Sequence, residues 1–295
     1  MRIVISSYTL DLSGVPTYTL TLYKELEKRG HQVQVFSPKS GYLAKEIDVC
    51  TIPDDLYYPD IVIGQHRECV HILRAMYSNV PMIFSAHGVE PEGEQPPDIE
   101  VEAYTAINEE TYGHLVVKGV PSRKISIVRD FVDTERFCST TPPNDVLKNV
   151  LFISNRKKWK TYAIIEKTCK NLNLNFVAVG SPYGRSYSLE EDINAADIVI
   201  GSGRSILEAM SCGRPVINFD KSVGDGYIIN DIYLDSRAHN FCGTLCKHKF
   251  NVDNLTKEIL KYNPKDGVIN REIILQEHNV VRGVDQILSI IGSVI

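Results

Sequence analysis

The stretch Asp197 to Asp220 constrains this chain more than any other. The apolar run Asp197-Ile198-Val199-Ile200 predicts a buried strand, Gly201-Ser202-Gly203 a glycine turn, and the residues up to Gly213 and Pro215 a short helix. Strand, glycine turn and helix in that order outline a phosphate site. The first turn of a helix has amides without intrahelical partners and a positive dipole end, and glycines let an anion approach them. Ser202 or Ser205 is placed to cap this helix. Glu208 fits two readings at once. Ser205-Ile206-Leu207-Glu208 matches the Ser-x-x-Glu capping box, in which the glutamate bonds back to the N-cap amide, and the same carboxylate is placed to meet a bound ligand.

A chain of 295 residues forms two modest domains or one large one. With 43% hydrophobic and 23% charged residues it is expected to be a folded globular protein, and a net charge of −5 argues against a broad nucleic-acid surface. No uninterrupted apolar segment approaches the ~20 residues that cross a bilayer. Met1 to Ser6 reads as a first strand and not as a signal peptide, so a cytoplasmic location is the expectation. Seven cysteines, odd in number and scattered, suit a reducing compartment. Cys242, Cys246 and His248 match no common zinc spacing and read as solitary loop residues.

The N-terminal half alternates strand and helix. Arg2 to Ser6 reads as a buried parallel strand, Thr17 to Arg29 has Leu20, Leu22, Tyr23 and Leu26 at helical spacing, and Gln32 to Phe36 alternates as the next strand. That is a βαβ unit. Gly14 lies in the loop before the helix, where it turns the chain. No Gly-x-Gly-x-x-Gly follows the first strand, which argues against a dinucleotide-dependent dehydrogenase. Pro59 to Gly64 is a further strand with a helix, roughly Cys69 to Tyr77, behind it. Pro81 to Gly88 then runs from strand into loop, so His87 stands at the carboxyl end of a parallel strand, where such sheets bind ligands. His87 is the first candidate for an active-site side chain and His66 the second. The loop Val89 to Asp98 reads as surface, Asn108 caps a helix through Lys118, and the polar stretch Ser139 to Asp145 reads as a linker.

Val150 to Ser154 starts a second sheet, and Asn155-Arg156-Lys157-Lys158-Trp159-Lys160 follows at its carboxyl end. Such a run of cations in an acidic protein implies an anionic partner close by. A solvated basic turn, or a peripheral membrane contact around Trp159, has the same composition. Asn175 to Gly180 is the next strand and Leu189 to Ala195 a helix. Gly224-Asp225-Gly226-Tyr227 reads as a flexible loop, Leu255 to Tyr262 as a helix, and His278 to Ile295 as a final helix with Val281, Val284, Ile287, Leu288 and Ile291 on one face.

Leu207-Glu208-Ala209-Met210-Ser211-Cys212-Gly213-Arg214-Pro215-Val216-Ile217 resembles the donor-site signature of the retaining glycosyltransferases of family four. Ser13-Gly14-Val15-Pro16 with Arg29-Gly30-His31, His87, and the run ending in Lys160 resemble further segments of the same family. The resemblance implies an α/β protein of the GT-B fold, two facing Rossmann-like domains with parallel sheets and a cleft between them. Residues 1–140 would form the first domain, with the helix 278–295 packing back on it, and 146–277 the nucleotide-sugar-binding domain. It implies a hexosyltransferase that takes its sugar from a nucleotide diphosphate donor to an acceptor of unknown class (glycan, lipid or other), retains anomeric configuration, and needs no metal or bound cofactor. On this likeness Arg156, Lys160 and the amides near Gly203, Arg204 and Ser205 hold the diphosphate, Gly14 faces the phosphates, Gly180 lies near the base, Glu208 binds the ribose, and His87 lies close to the transferred sugar. Lys160 matches the family's lysine; the arginine slot falls on Asn155, with Arg156 beside it as the substitute. A second glutamate that the family carries eight residues before Glu208 is replaced by Ile200. The alternatives are a nucleotide-sugar epimerase of the same architecture and a non-catalytic nucleotide-sugar-binding protein, the latter prompted by Ile200.

Overall fold

The computed structural model describes all residues except Lys157, Lys158, Lys221, Ser222 and Lys247, and the side chains of Asn230 and Asp231. The chain divides into two compact units, residues 1–131 with 280–295, and residues 132–279.

In the first unit β1 (Arg2–Ser6), α1 (Gly14–Lys28) and β2 (Gln32–Phe36) form the expected βαβ unit. They are followed by β3 (Val49–Cys50), β4 (Ile61–Gly64), α2 (Arg67–Met76), β5 (Met82–Ala86), β6 (Ala103–Ala106), α3 (Glu109–Val117) and β7 (Ile125–Ile127). The strands make one parallel sheet in the order β3-β2-β1-β4-β5-β6-β7. Its central strands are near-continuous apolar runs because both faces are covered. Ile3, Ile5, Val33, Val35 and Ile63 face the core beneath α1, while Val4, Val62, Met82 and Phe84 face the core beneath α2 and α3. Asn108 caps α3 as its sequence suggests, its Oδ1 accepting the Thr111 N–H at 2.7 Å.

The second unit contains β8 (Asn149–Ile153), α4 (Trp159–Asn171), β9 (Asn175–Val179), α5 (Leu189–Ala195), β10 (Ile198–Gly201), α6 (Arg204–Ser211), β11 (Val216–Asp220), β12 (Val223–Tyr227), α7 (Asn230–Ala238), α8 (Val252–Ile259) and α9 (Pro264–Glu277). Its sheet runs β12-β11-β10-β8-β9, parallel but for the edge strand β12. The last helix, α10 (Val280–Val294), belongs to the first unit. Val284, Ile287 and Ile291 of α10 are buried in the core shared with α1. Arg29 ties it down, donating from Nη1 to Asp285 at 2.5 Å and from Nη2 to the Val281 carbonyl at 2.8 Å.

Two expectations are corrected here. Residues 224–227 are not a flexible loop but most of β12, antiparallel to β11. The glycines serve close approach: a Cβ on Gly224 would lie 2.0 Å from the Asn218 carbonyl oxygen, and Gly226 has φ +88°. The stretch Ser139 to Asp145 is not a free linker either, since it is stitched into the second unit. Thr140 N–H donates to Asn194 Oδ1 at 3.1 Å, and the fully buried Arg214 donates from Nη2 to the Thr141 carbonyl at 2.6 Å. The carboxylate of Asp197, 2% exposed, accepts the N–H groups of Asn144, Lys148 and Asn149 at 2.8–2.9 Å.

Candidate functional site

In the second sheet the chain leaves β8 for β9 on one side and later returns to β10 on the other. The topological switch point therefore lies between β8 and β10, and open α/β sheets bind ligands outside the carboxyl ends of the strands at such a point. Two segments leave the sheet there: Ser154-Asn155-Arg156 from β8 and Gly201-Ser202-Gly203 from β10. They touch. Arg156 donates from Nη1 to Ser202 Oγ at 3.1 Å and to Asp220 Oδ2 at 2.5 Å. Asp220, the last residue of β11 and 3% exposed, also accepts from Ser154 Oγ at 3.2 and 3.3 Å and from Ser202 Oγ at 3.2 Å. Three neighbouring strand ends are thus joined through one buried carboxylate. Sequence reasoning missed Asp220; the available signal was an acid closing an apolar strand beside the glycine turn.

The glycine turn differs from its expected form. Helix α6 begins at Arg204 and its N-cap is Gly203 at φ +63°, so neither Ser202 nor Ser205 caps it. Ser205 Oγ instead closes the turn, accepting the Ser202 N–H at 3.3 Å and donating to the Ser202 carbonyl at 3.0 Å. The Gly203 N–H is taken by the Phe241 carbonyl at 2.8 Å. A ligand here would meet the start of α6, where the Ile206 N–H is already taken by the Gly203 carbonyl at 3.0 Å. The capping-box reading of Glu208 falls as well, because Glu208 lies in the second helical turn. Its Oε1 accepts from Arg204 Nε at 3.0 Å, with both side chains under a tenth exposed.

Lys160 is the second residue of α4 and is exposed; among the described residues it has neither a hydrogen-bond nor an ion-pair partner. Lys157 and Lys158 lie outside the described residues. Gly180 follows β9 with φ +125°, and a Cβ there would stand 2.0 Å from the Ser154 carbonyl oxygen, so close packing of two strand ends accounts for this glycine. Tyr183 O–H donates to the Arg156 carbonyl at 3.3 Å and its ring stacks on Tyr162 at 5.2 Å between centroids, which steadies the loop.

Gly14 and His87 belong to the first unit. Gly14 is not in a loop; it is the first residue of α1, with no atom within 4 Å of where a methyl group would stand and no left-handed backbone. His87 follows β5, with Nε2 3.3 Å from Ser85 Oγ, which in turn accepts from Thr105 Oγ1 at 3.0 Å. Its ring meets Tyr18 edge-on at 4.5 Å, and Tyr18 packs on Phe131 at 4.4 Å. His66 Nδ1 accepts the Tyr8 N–H at 3.1 Å, and burial holds its pKa below the ordinary value, so the neutral ring carries its proton on Nε2. A cavity of about 650 Å³ in the first unit, lined by Arg67, Pro97, Tyr104 and Lys124 among others, contains none of the predicted site residues.

Among the described residues no three histidines, cysteines or acids are grouped to hold a metal, and no helix is long and apolar enough to cross a membrane. No protein-family model matches the chain, and no curated protein matches it by sequence. Solved structures do. HepE (Alr3699) of Anabaena, in complex with UDP and glucose, superposes with a TM-score of 0.72 at 14% identity, covering 99% of this chain and 100% of that one. An α-glucosyltransferase in complex with UDP and a 13-mer DNA containing an HMU base gives 0.69 at 13% identity, covering 99% of each chain. A glycosyltransferase from Rickettsia africae gives 0.66 at 16% identity, covering 99% and 98%. The chain has the GT-B fold. Within this GT-B chain Ile200 is fully buried between Phe152 and Ile217 on the neighbouring strands, so that position presents only hydrocarbon to the core, and an acid reaches this end of the sheet through Asp220.

Proposed function

We propose that the chain is a glycosyltransferase that moves a hexose from a nucleotide diphosphate sugar to an acceptor, with retention of anomeric configuration and without a metal. The observation that carries this reading is the direct contact between the Arg156 loop and the Gly201–Gly203 turn at the switch point of the second unit. A cation and the amide-rich start of a helix converge there, which is the chemistry a pyrophosphate requires. The likeness to HepE with UDP and to the UDP-bound α-glucosyltransferase supports a nucleotide sugar as the ligand.

In this reading the diphosphate rests on the first turn of α6 with Arg156 and Lys160 around it. As the bond from sugar to phosphate breaks, negative charge builds on the departing phosphate, and fixed cations stabilise that charge more than they stabilise the intact donor. Glu208 takes the ribose and His87 the sugar, as the family resemblance assigns. The glycyl positions Gly180 and Gly203 keep the strand ends clear of side chains.

The test is calorimetric titration with UDP, GDP, ADP and dTDP and their sugars, followed by product analysis. One of these nucleotides should bind, and Lys160→Ala should weaken it; no binding by any of them would sink the proposal. The anomeric configuration of the product, read by proton coupling constants, decides retention. Incubation with donor alone separates an epimerase, which would isomerise the sugar, from a transferase, which would hydrolyse it slowly. Binding with neither outcome would mark the non-catalytic alternative prompted by Ile200.

A further inference from the structure

Asp220 has no part in the reading above, yet the switch point is built around it. We propose that Asp220 is the positioning residue of the phosphate site, aiming the Nε and Nη2 edge of Arg156 at the donor's diphosphate. The inference rests on the nucleotide-sugar reading of the same site.

A carboxylate that is 3% exposed cannot stay charged without partners. Asp220 has two hydroxyl donors, Ser154 and Ser202, and one cation, Arg156. The cation is held in a specific way. Nη1 carries two hydrogens, and its two acceptors, Ser202 Oγ at 3.1 Å and Asp220 Oδ2 at 2.5 Å, use both. Nε–H and the Nη2 hydrogens remain, and among the described residues nothing accepts them. That is the edge of a guanidinium that makes two parallel hydrogen bonds to a phosphate. The Arg156 side chain as a whole is 43% exposed, while the Asp220 side chain it pairs with is 3% exposed.

The same carboxylate sets the other half of the site. Ser202, which donates to Asp220 at 3.2 Å, is the middle residue of the glycine turn that leads into α6. One group therefore fixes the distance between the guanidinium and the helix start. A lysine in place of Arg156 would keep the charge but could not bond Ser202 and Asp220 and still offer a two-point edge. An asparagine in place of Asp220 would keep the volume, yet it would remove the charge that holds Nη1 and turn an amide N–H₂ toward one of its donors.

The test is a double-mutant cycle, by calorimetry, on affinity for whichever of UDP, GDP, ADP and dTDP the unaltered protein binds, with the fold of each variant checked by circular dichroism. Asp220→Asn should weaken binding about tenfold, the size of one charge-assisted contact, and the double variant Asp220→Asn, Arg156→Ala should lose clearly less than the sum of the two single losses. Additive losses, or Asp220→Asn binding as tightly as the unaltered protein or more so, would overturn the proposal. Arg156→Lys supplies a second arm that leaves Asp220 in place: it should lose as much affinity as Arg156→Ala, and near-normal binding would count against the edge. If the unaltered protein binds one of these nucleotides and Lys160→Ala weakens it while the cycle is additive, this assignment alone fails. If no nucleotide binds at all, both readings fail together.

Discussion

A lysine at the second position of a helix is badly placed for stability, because it faces the positive end of the helix dipole. Lys160 occupies that position in α4 with no acid in the first turn and no partner among the described residues. Its retention there has a reason if an anion arrives. Lys160→Glu should therefore unfold at the same temperature or slightly higher, by the equivalent of roughly 0.3–1 kcal/mol, while nucleotide binding disappears; a scanning calorimeter and a titration calorimeter read the two effects. Glu208 behaves in the opposite way. Its ion pair with Arg204 is buried, so Glu208→Ala removes a charged acceptor from a buried guanidinium at a cost of about 1–3 kcal/mol. Glu208→Gln keeps an acceptor for Arg204 Nε and should lose much less. Urea unfolding of the two variants checks this, and only the glutamine variant is a fair probe of ribose binding.

At the scale of elements, the glycines that looked alike in the sequence separate cleanly. Gly180→Ala forces a Cβ to within 2.0 Å of a carbonyl oxygen at φ +125°, and its melting temperature should fall by many degrees. Gly14→Ala at the first position of α1 meets nothing, and should leave the melting temperature unchanged or raise it, by up to about 1 kcal/mol of helix propensity. The parallel strands and their connecting helices were legible because buried strands are apolar runs and α1 carries a clear apolar face. Helix α9 was not legible: Val268, Ile269, Ile273, Ile274 and Leu275 surround its axis, leaving Val268 63% exposed and no stripe to read. Strand β12 was hidden because glycines that permit a tight ladder look like a flexible turn in sequence. In the candidate site, Arg156 and Glu208 stood out through local motifs. Asp220 did not, because its partners Arg156 and Ser154 lie 64 and 66 residues away and only the sheet order brings them together.

For the molecule as a whole, the chain enters the first unit, builds the second without interruption, and returns to the first through α10. The return is tightly specified. A Cβ on Gly283 of α10 would fall 2.2 Å from the Phe131 ring, Phe131 packs on Tyr18, and Tyr18 meets His87. Deleting 280–295 should expose the core face that Val284, Ile287 and Ile291 cover, so the first unit should lose its cooperative unfolding transition. The second unit should keep its own transition and its affinity for nucleotide. Differential scanning calorimetry with and without UDP tells these apart, since a ligand stabilises only the unit that binds it.

Helix α10 also sets a schedule for biosynthesis. Domains of a nascent chain usually complete from the amino end onward, yet here residues 132–279 are contiguous while the unit begun by β1 must wait for a helix translated after all of them. Until that helix leaves the ribosome, the groove over α1 stays uncovered, and the half of the protein made first is the half finished last.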